Sequence, residues 1–326
     1  MNKLWAVVFG AVNLACGLLF VVAPFVGWWL PEGQSTHAEA VDNLFYQILF
    51  ITGFFFFLTE AILVVFLFVY PCDGSKPTRA KGWPGPLSFL QSVLHDSHRV
   101  EMAWTLVPAL ILLYIAFVQI PTWADVKYQK NTPEFGKNKV PVVLDVSARQ
   151  FEWRIRYPSH ERFTRWLKES ETAAADYNSF GKVRQADDIE GLVHEVHTWK
   201  KQPTVVYLTT RDVIHSFNIP IMRVKQDALP GKVIPVWFTA NTANSKWDEE
   251  AQRPVCLKQI EKDGKRVDDP TLTWDIPCAE LCGWGHYRMI GKLYVHETED
   301  DWLAWLEAAY AREHDFGASA GAPAHK

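Results

Sequence analysis

Three long apolar runs dominate the first third of the chain, at residues 4–30, 45–70 and 104–121, and Glu60 is the only acidic or basic side chain within them. Each is about long enough to cross a hydrocarbon core of ~30 Å as a helix. The first could be read as a cleaved leader, because it follows Met1-Asn2-Lys3. Its length greatly exceeds the ~7–15 residues of a leader's apolar region, so a retained helix is expected, with Cys16 a plain intramembrane cysteine. After residue 121 the pattern changes to the alternation of half-buried strands, at Val140–Val146, Phe151–Tyr157, Val205–Thr209, Val233–Thr239 and Ile290–His296. Short strands punctuated by Gly, Pro and Asp predict a β-sandwich or small barrel. Residues 158–203 and 243–275 are charge-rich and poor in strand pattern, and read as long surface connections.

Near the end, Thr298 precedes Glu299, Asp300 and Asp301 and then an apolar series at Trp302, Leu306 and Tyr310, the pattern of a capped amphipathic helix over 299–315. The small-residue tail 316–326 is expected to be disordered. The organisation is therefore an extra apolar segment (1–30), a membrane hairpin (45–121), an all-β domain (122–300), a helix and a tail.

Charge fixes the orientation. Residues 31–44 carry no Lys or Arg, whereas residues 71–103 carry Lys76, Arg79, Lys81 and Arg99, which places the latter in the cytoplasm and the β domain outside. A formal net charge of -4 gives no basic field for nucleic acid, which is excluded as a partner.

The chemistry is concentrated in Cys278-Ala-Glu-Leu-Cys282-Gly-Trp-Gly-His286-Tyr-Arg-Met289, which brings two thiols, an imidazole and a thioether onto one loop. Such soft and borderline donors suit copper in either oxidation state and not magnesium or calcium. A second imidazole is available from His215 in Asp212-Val-Ile-His215-Ser-Phe. A Cys278–Cys282 disulfide and a Cys2His2 zinc site are the competing readings. Zinc accounts for neither Met289 nor the membrane anchor. His160, His194, His197 and His296 lack such company and read as ordinary histidines.

These residues resemble the dinuclear copper (CuA) signature of cytochrome c oxidase subunit II, and the resemblance extends over about residues 45–300. It implies a membrane-anchored all-β protein, with transmembrane helices followed by a cupredoxin-like β-barrel or sandwich, in a bacterial inner membrane. It further implies Cys278 and Cys282 as bridging thiolates, His215 and His286 as terminal ligands, and Met289 and the Glu280 carbonyl as weak ligands. By the same resemblance, the Glu280 carboxylate would reach a magnesium ion shared with subunit I, and Glu101, in Glu101-Met-Ala-Trp104, would lie at the mouth of a proton channel. Asp227, in Val224-Lys-Gln-Asp227-Ala-Leu-Pro-Gly231, a turn beneath the copper loop, would support the metal loop or the subunit interface. Electrons from cytochrome c or a cytochrome c-like domain would arrive near Phe151 and Trp153. The implied partners are oxidase subunits I and III, membrane lipid and a respiratory supercomplex.

One departure stands out: Ala148-Arg-Gln-Phe151-Glu-Trp153 has Phe151 where the family carries its first Trp. No histidine lies in the three apolar runs and no C-x-x-C-H occurs, so haem and oxygen chemistry are expected in a partner. A quinol oxidase subunit would lack the ligand set. A copper subunit of a nitric oxide reductase, or a membrane-tethered copper-binding or assembly protein, remains as an alternative. The orientation predicts that protease added to intact spheroplasts removes the β domain; a protected domain contradicts it.

Overall fold

The computed structural model describes residues 2–69, 97–128, 132–135, 140–169, 173–262 and 265–319. Most of the basic 71–103 connection, with Cys72, and the last part of the tail lie outside them. Among the described residues three helices are long and apolar enough to span a membrane: α1 (Asn2–Val22), α2 (Ala38–Val69) and α3 (Ser97–Lys127). α1 leads into a short 3-10 turn begun by Pro24 and ended by Gly27 at φ 70, the left-handed conformation that glycine adopts without penalty. Against α1, the ring of Phe20 lies so close to Gly53 that a Cβ there would sit 2.6 Å from it, which is why α2 has a small residue at that level. Phe20 also meets Trp29 and Phe57 edge to face.

The second unit comprises residues 32–39 and 124–326. It carries β1 (Val142–Arg149), β2 (Glu152–Tyr157), α4 (His160–Lys168), α5 (Ala174–Ser179), β3 (Ile189–Val193), β4 (Glu195–Trp199), β5 (Pro203–Thr210), β6 (His215–Ile219), β7 (Val224–Ala228) and β8 (Ile234–Thr239). There follow β9 (Ser245–Asp248), β10 (Arg253–Cys256), β11 (Gln259–Lys262), β12 (Lys265–Asp268), β13 (Trp274–Pro277), β14 (Ile290–His296) and α6 (Glu299–Ser319). One sheet runs β3-β2-β1-β5-β8; a second runs β10-β9-β14-β13, with β4 also paired to β14. Their inner faces share one core that includes Val146, Trp153, Leu208, Phe238, Ile276 and Leu293. Residues 34–36 add to this unit: Ser35 bridges Ala240, and Gln34 N–H donates to the Ile221 carbonyl at 2.7 Å. Residues 32–39, between α1 and α2 in sequence, thus belong to the β unit.

The 158–203 stretch is not a surface connection. Ser159 caps α4 by accepting from Arg162 N–H, and Arg162, Phe163 and Trp166 are all buried. Strand β1 is buried on both faces because this insertion covers the outer one. Gly181 lies against the Tyr207 ring, and Phe180 stacks under the Arg156 guanidinium at 4.2 Å. Arg156 and Arg162 share the buried carboxylate of Asp188, at 2.5 and 2.7 Å. The helical signal was weak because a buried arginine replaces part of the apolar stripe, and the pairing that permits its burial is distant in sequence. The 243–275 stretch similarly forms two short antiparallel hairpins, β9-β10 and β11-β12.

α6 buries Trp302, Trp305, Leu306 and Ala309, the i, i+3, i+4, i+7 stripe, and continues past residue 315 to Ser319. Beneath it Trp305 stacks on His197 at 3.8 Å, His197 Nδ1 faces His296 Nε2 at 3.0 Å, and His296 Nδ1 faces Asp301 at 2.6 Å. Burial, then His296 and Arg312, hold the His197 pKa well below its usual value; Glu195, Tyr157 and Tyr294 are its other titratable neighbours. The folded state therefore keeps His197 neutral while the unfolded chain protonates it below about pH 6.5, so this contribution to stability is lost as pH falls. Thermal unfolding of the detergent-solubilised chain is expected to lose up to ~1.4 kcal/mol per pH unit from this group between pH 6.5 and 5.5. His197→Phe should flatten that slope; an unchanged slope in the variant would remove His197 as its source.

Candidate metal centre

The site is assembled from one strand end and one loop. β6 opens on His215, which is fully buried, and its register with β7 pairs His215 with Ala228 and Ser216 with Asp227. The loop after β13 is fixed to β6 by backbone bonds: Phe217 bridges Cys278, and Ala279 N–H donates to the Ser216 carbonyl at 3.0 Å. At its far end Cys278 N–H donates to the Met289 carbonyl at 3.0 Å, which closes the loop where β14 begins.

Within this frame His215, Cys278 and Cys282 present ligand atoms that all lie within 4.8 Å of one another. The two sulfurs are 3.9 Å apart and both cysteines are free thiols, so no disulfide joins them. His215 Nδ1 is 3.8 Å from Cys278 Sγ, and His286 Nδ1 is 3.5 Å from Cys282 Sγ. The Glu280 carbonyl accepts from the Cys278 thiol at 3.2 Å, while its carboxylate belongs to an exposed residue. Met289 is fully buried.

Electrostatics favour a bound cation here. Burial pushes the Cys278 thiol up, but hydrogen bonds from His215 and the Ser216 backbone outweigh it and bring it down to about 6. Cys282, raised by burial and by the neighbouring Cys278 charge, is pushed up to about 11. A second thiolate is thus unfavourable until a metal lies against both sulfurs. The donors fit a thiolate-rich copper site, with two sulfurs and two imidazole nitrogens and no carboxylate in the group.

Four supporting residues had not been picked out for this role from sequence. Asp212 accepts from His215 Nε2 at 2.8 Å. Burial disfavours its carboxylate, but the Gln150 N–H, the His215 ring and the Val213 N–H hold its pKa below the usual range, so it is an acceptor and Nε2 carries the proton. Nδ1 is thereby the ring atom that faces the Cys278 sulfur. The signal was present in Asp212-x-x-His215, an acid three residues before the histidine. Gln150 Nε2 donates to the Cys282 carbonyl at 2.5 Å. Gly283, at φ 133, and Gly285 allow the loop to lie on Phe151, because a Cβ at Gly285 would sit 2.4 Å from that ring.

Trp153 is 1 % exposed, donates from Nε1 to the Ile276 carbonyl and packs edge to face on Phe217, which leaves it no surface for a donor protein. Asp227 is cross-strand from Ser216 and so on the opposite face of the hairpin from His215, whose ring is held by Asp212 instead. Glu101 is exposed on α3, remote in sequence from the β domain, and its carbonyl accepts from Thr105.

Family models and sequence relatives agree with this architecture. The family model for the cytochrome c oxidase subunit II transmembrane domain matches residues 23–121, and that for the periplasmic domain of the same subunit matches residues 142–248. An alternative cytochrome c oxidase subunit 2 of Bradyrhizobium diazoefficiens is 27% identical, over 86% of this chain and 83% of its own. A probable cytochrome c oxidase subunit 2 of Rickettsia felis is 26% identical, over 93% and 80%. Among solved structures, the periplasmic domain of subunit II of cytochrome oxidase of Bradyrhizobium japonicum is 21% identical, with a TM-score of 0.33 over 55% of this chain and 98% of that one. With an integral membrane part and an extracytoplasmic β domain in one polypeptide, the chain belongs to the cytochrome c oxidase subunit II family of haem-copper oxidases.

Proposed function

We propose that this chain is the electron-accepting subunit of a terminal oxidase, with a dinuclear copper centre held by Cys278, Cys282, His215 and His286 and weakly by Met289 and the Glu280 carbonyl. The observation that carries it is the convergence of His215, Cys278 and Cys282 within 4.8 Å in a member of this family. A copper pair held by these residues would supply one-electron chemistry, which suits a relay between a c-type cytochrome and the haem of subunit I.

The chain's own residues keep rearrangement on reduction small. Asp212 holds the His215 ring in one tautomer, the Gln150 amide ties down the Cys282 carbonyl, and the backbone bonds from Ser216 and Met289 clamp both ends of the loop. Burial of the sulfurs excludes water and oxidants from them. Subunits I and III are the membrane partners, α1–α3 presenting the apolar surface they and lipid would cover. The exposed Glu280 carboxylate is assigned to a magnesium ion shared with subunit I, and Glu101 to the mouth of a proton path in the same partner. The matched membrane helices favour this reading over a free-standing copper carrier.

Copper reconstitution of the extracytoplasmic unit, followed by metal analysis and absorption spectroscopy, is expected to give two coppers and a coloured oxidised state. Cys278→Ser or Cys282→Ser should abolish the dinuclear spectrum, whereas Met289→Leu should retain copper with a shifted potential; one zinc and no copper would sink the assignment. A separate competition against a chelator examines the support of the ligands. Asp212→Asn should weaken copper retention by about 10–100-fold, while Asp227→Asn stays close to the parent. Equal losses in the two would place the support elsewhere.

A further inference from the structure

The outer surface of the loop carries a feature that binding metal does not explain. Leu281, Trp284 and Tyr287 are 79, 75 and 75 % exposed, beside the exposed Ile290. Three large apolar side chains turned to water on a short, rigid loop mark a contact surface, because nothing in the loop's own packing is gained by their exposure. Trp284 stands at its centre in sequence, two residues from Cys282 and two from His286. Its indole meets Phe151 edge to face at 5.1 Å, and the Arg288 guanidinium lies over it at 4.5 Å. The ring is thus held in place on the surface from below and from one side.

Phe151 cannot itself meet a partner squarely. It is half-buried, and the backbone of Gly283 and Gly285 runs across its ring. Trp153 is deeper still. We propose that Trp284 is the residue through which this chain receives electrons, the indole contacting the exposed haem edge of a c-type cytochrome, with Phe151 as its buttress. This rests on the reading of the loop as a copper relay and deepens it. In the transfer, the donor's ferrous haem becomes ferric and the copper centre is reduced by that one electron. Trp284 undergoes no net oxidation, and no bond or proton changes at it. Its contribution is close approach and electronic overlap, since tunnelling falls off exponentially with distance.

Charge specifies the partner's rim. From Cys278 to Ile290 the loop holds one acid, Glu280, and one base, Arg288. Asp212, the nearest other carboxylate in the site, is already engaged by Gln150, Val213 and His215. A ring of lysines around the haem would find a single acid, Glu280, on this loop, offset by Arg288, so the docking face of the donor is apolar and nearly neutral.

The test uses the purified oxidase complex carrying Trp284→Ala or Trp284→Phe. Four quantities are read: the copper absorption and paramagnetic spectra, the affinity for the oxidised c-type donor, the stopped-flow rate of reduction by the reduced donor, and the rate with a small-molecule reductant. Trp284→Ala is expected to leave the copper spectra and the small-reductant rate intact, to weaken donor affinity, and to lower the donor-to-copper rate by on the order of tenfold or more. Trp284→Phe should recover part of both losses. Parent affinity and rate in Trp284→Ala would overturn the proposal, as would an equal slowing with the small reductant, which would mean a structural role. Should the Ala variant lose its copper spectra, the Phe variant decides: parent-like donor kinetics with intact spectra in both Trp284→Phe and a Trp284→Leu variant overturn the contact. Absence of copper in the parent complex would overturn the relay reading itself.

Discussion

Two buried thiols 3.9 Å apart repel as soon as both ionise, and the extracytoplasmic unit is organised around holding them there until a cation offsets that repulsion. The means are mostly backbone bonds. One strand, β6, supplies His215 and the carbonyl that holds Ala279; another, β14, begins where Met289 closes the loop. The geometry of the donors therefore follows from sheet register, which shifts only in whole-residue steps that would turn every side chain to the other face. Ligands placed in this way rearrange little on a change of charge, the property that a one-electron relay needs.

The rest of the unit stiffens that register. The sheet containing β1 and β5 is covered on its outer side by α4, α5 and the Arg156–Asp188–Arg162 network, in which each cation meets a carboxylate at 2.7 Å or less. Buried ion pairs of this kind add little net stability against an apolar alternative, yet they are intolerant of misplacement, since removing one partner leaves a charge stranded in low dielectric. On the other sheet, Trp305 of α6 packs over His197 and His296 while Trp302 packs on Trp199, and Asp301 ties the helix to both β9 and β14 through Trp247 N–H and His296. Both sheets are thus covered, whereas the metal loop keeps an exposed face. That face is where Trp284 stands.

Much of this was legible in the chain itself. The three spans follow from unbroken apolar runs that no soluble core requires, and the side of the membrane from four basic residues against none. The donor loop is local: Cys278 to Met289 is a twelve-residue stretch whose chemistry names its metal class without any tertiary information. The capped helix after Thr298 was legible for the same reason, since its cap and stripe are read within three turns.

What depended on distant residues was decided only by the folded structure. Asp212 was visible as an acid but not as the partner that orients His215, and Gln150 reaches a carbonyl 132 residues away. Asp227 turned out to face away from the histidine because strand alternation, not proximity in a motif, sets its direction. The 158–203 stretch read as surface because its buried Arg162 looks polar until the carboxylates of Asp176 and Asp188 are seen beside it. Likewise Phe151, Trp153 and Trp284 are three aromatic residues in sequence, and only packing separates a buttress, a core ring and a surface contact. Periodicity and motif report a residue's local environment; its partners across the fold, and whether it meets water, are set by the register of strands that the sequence does not print side by side.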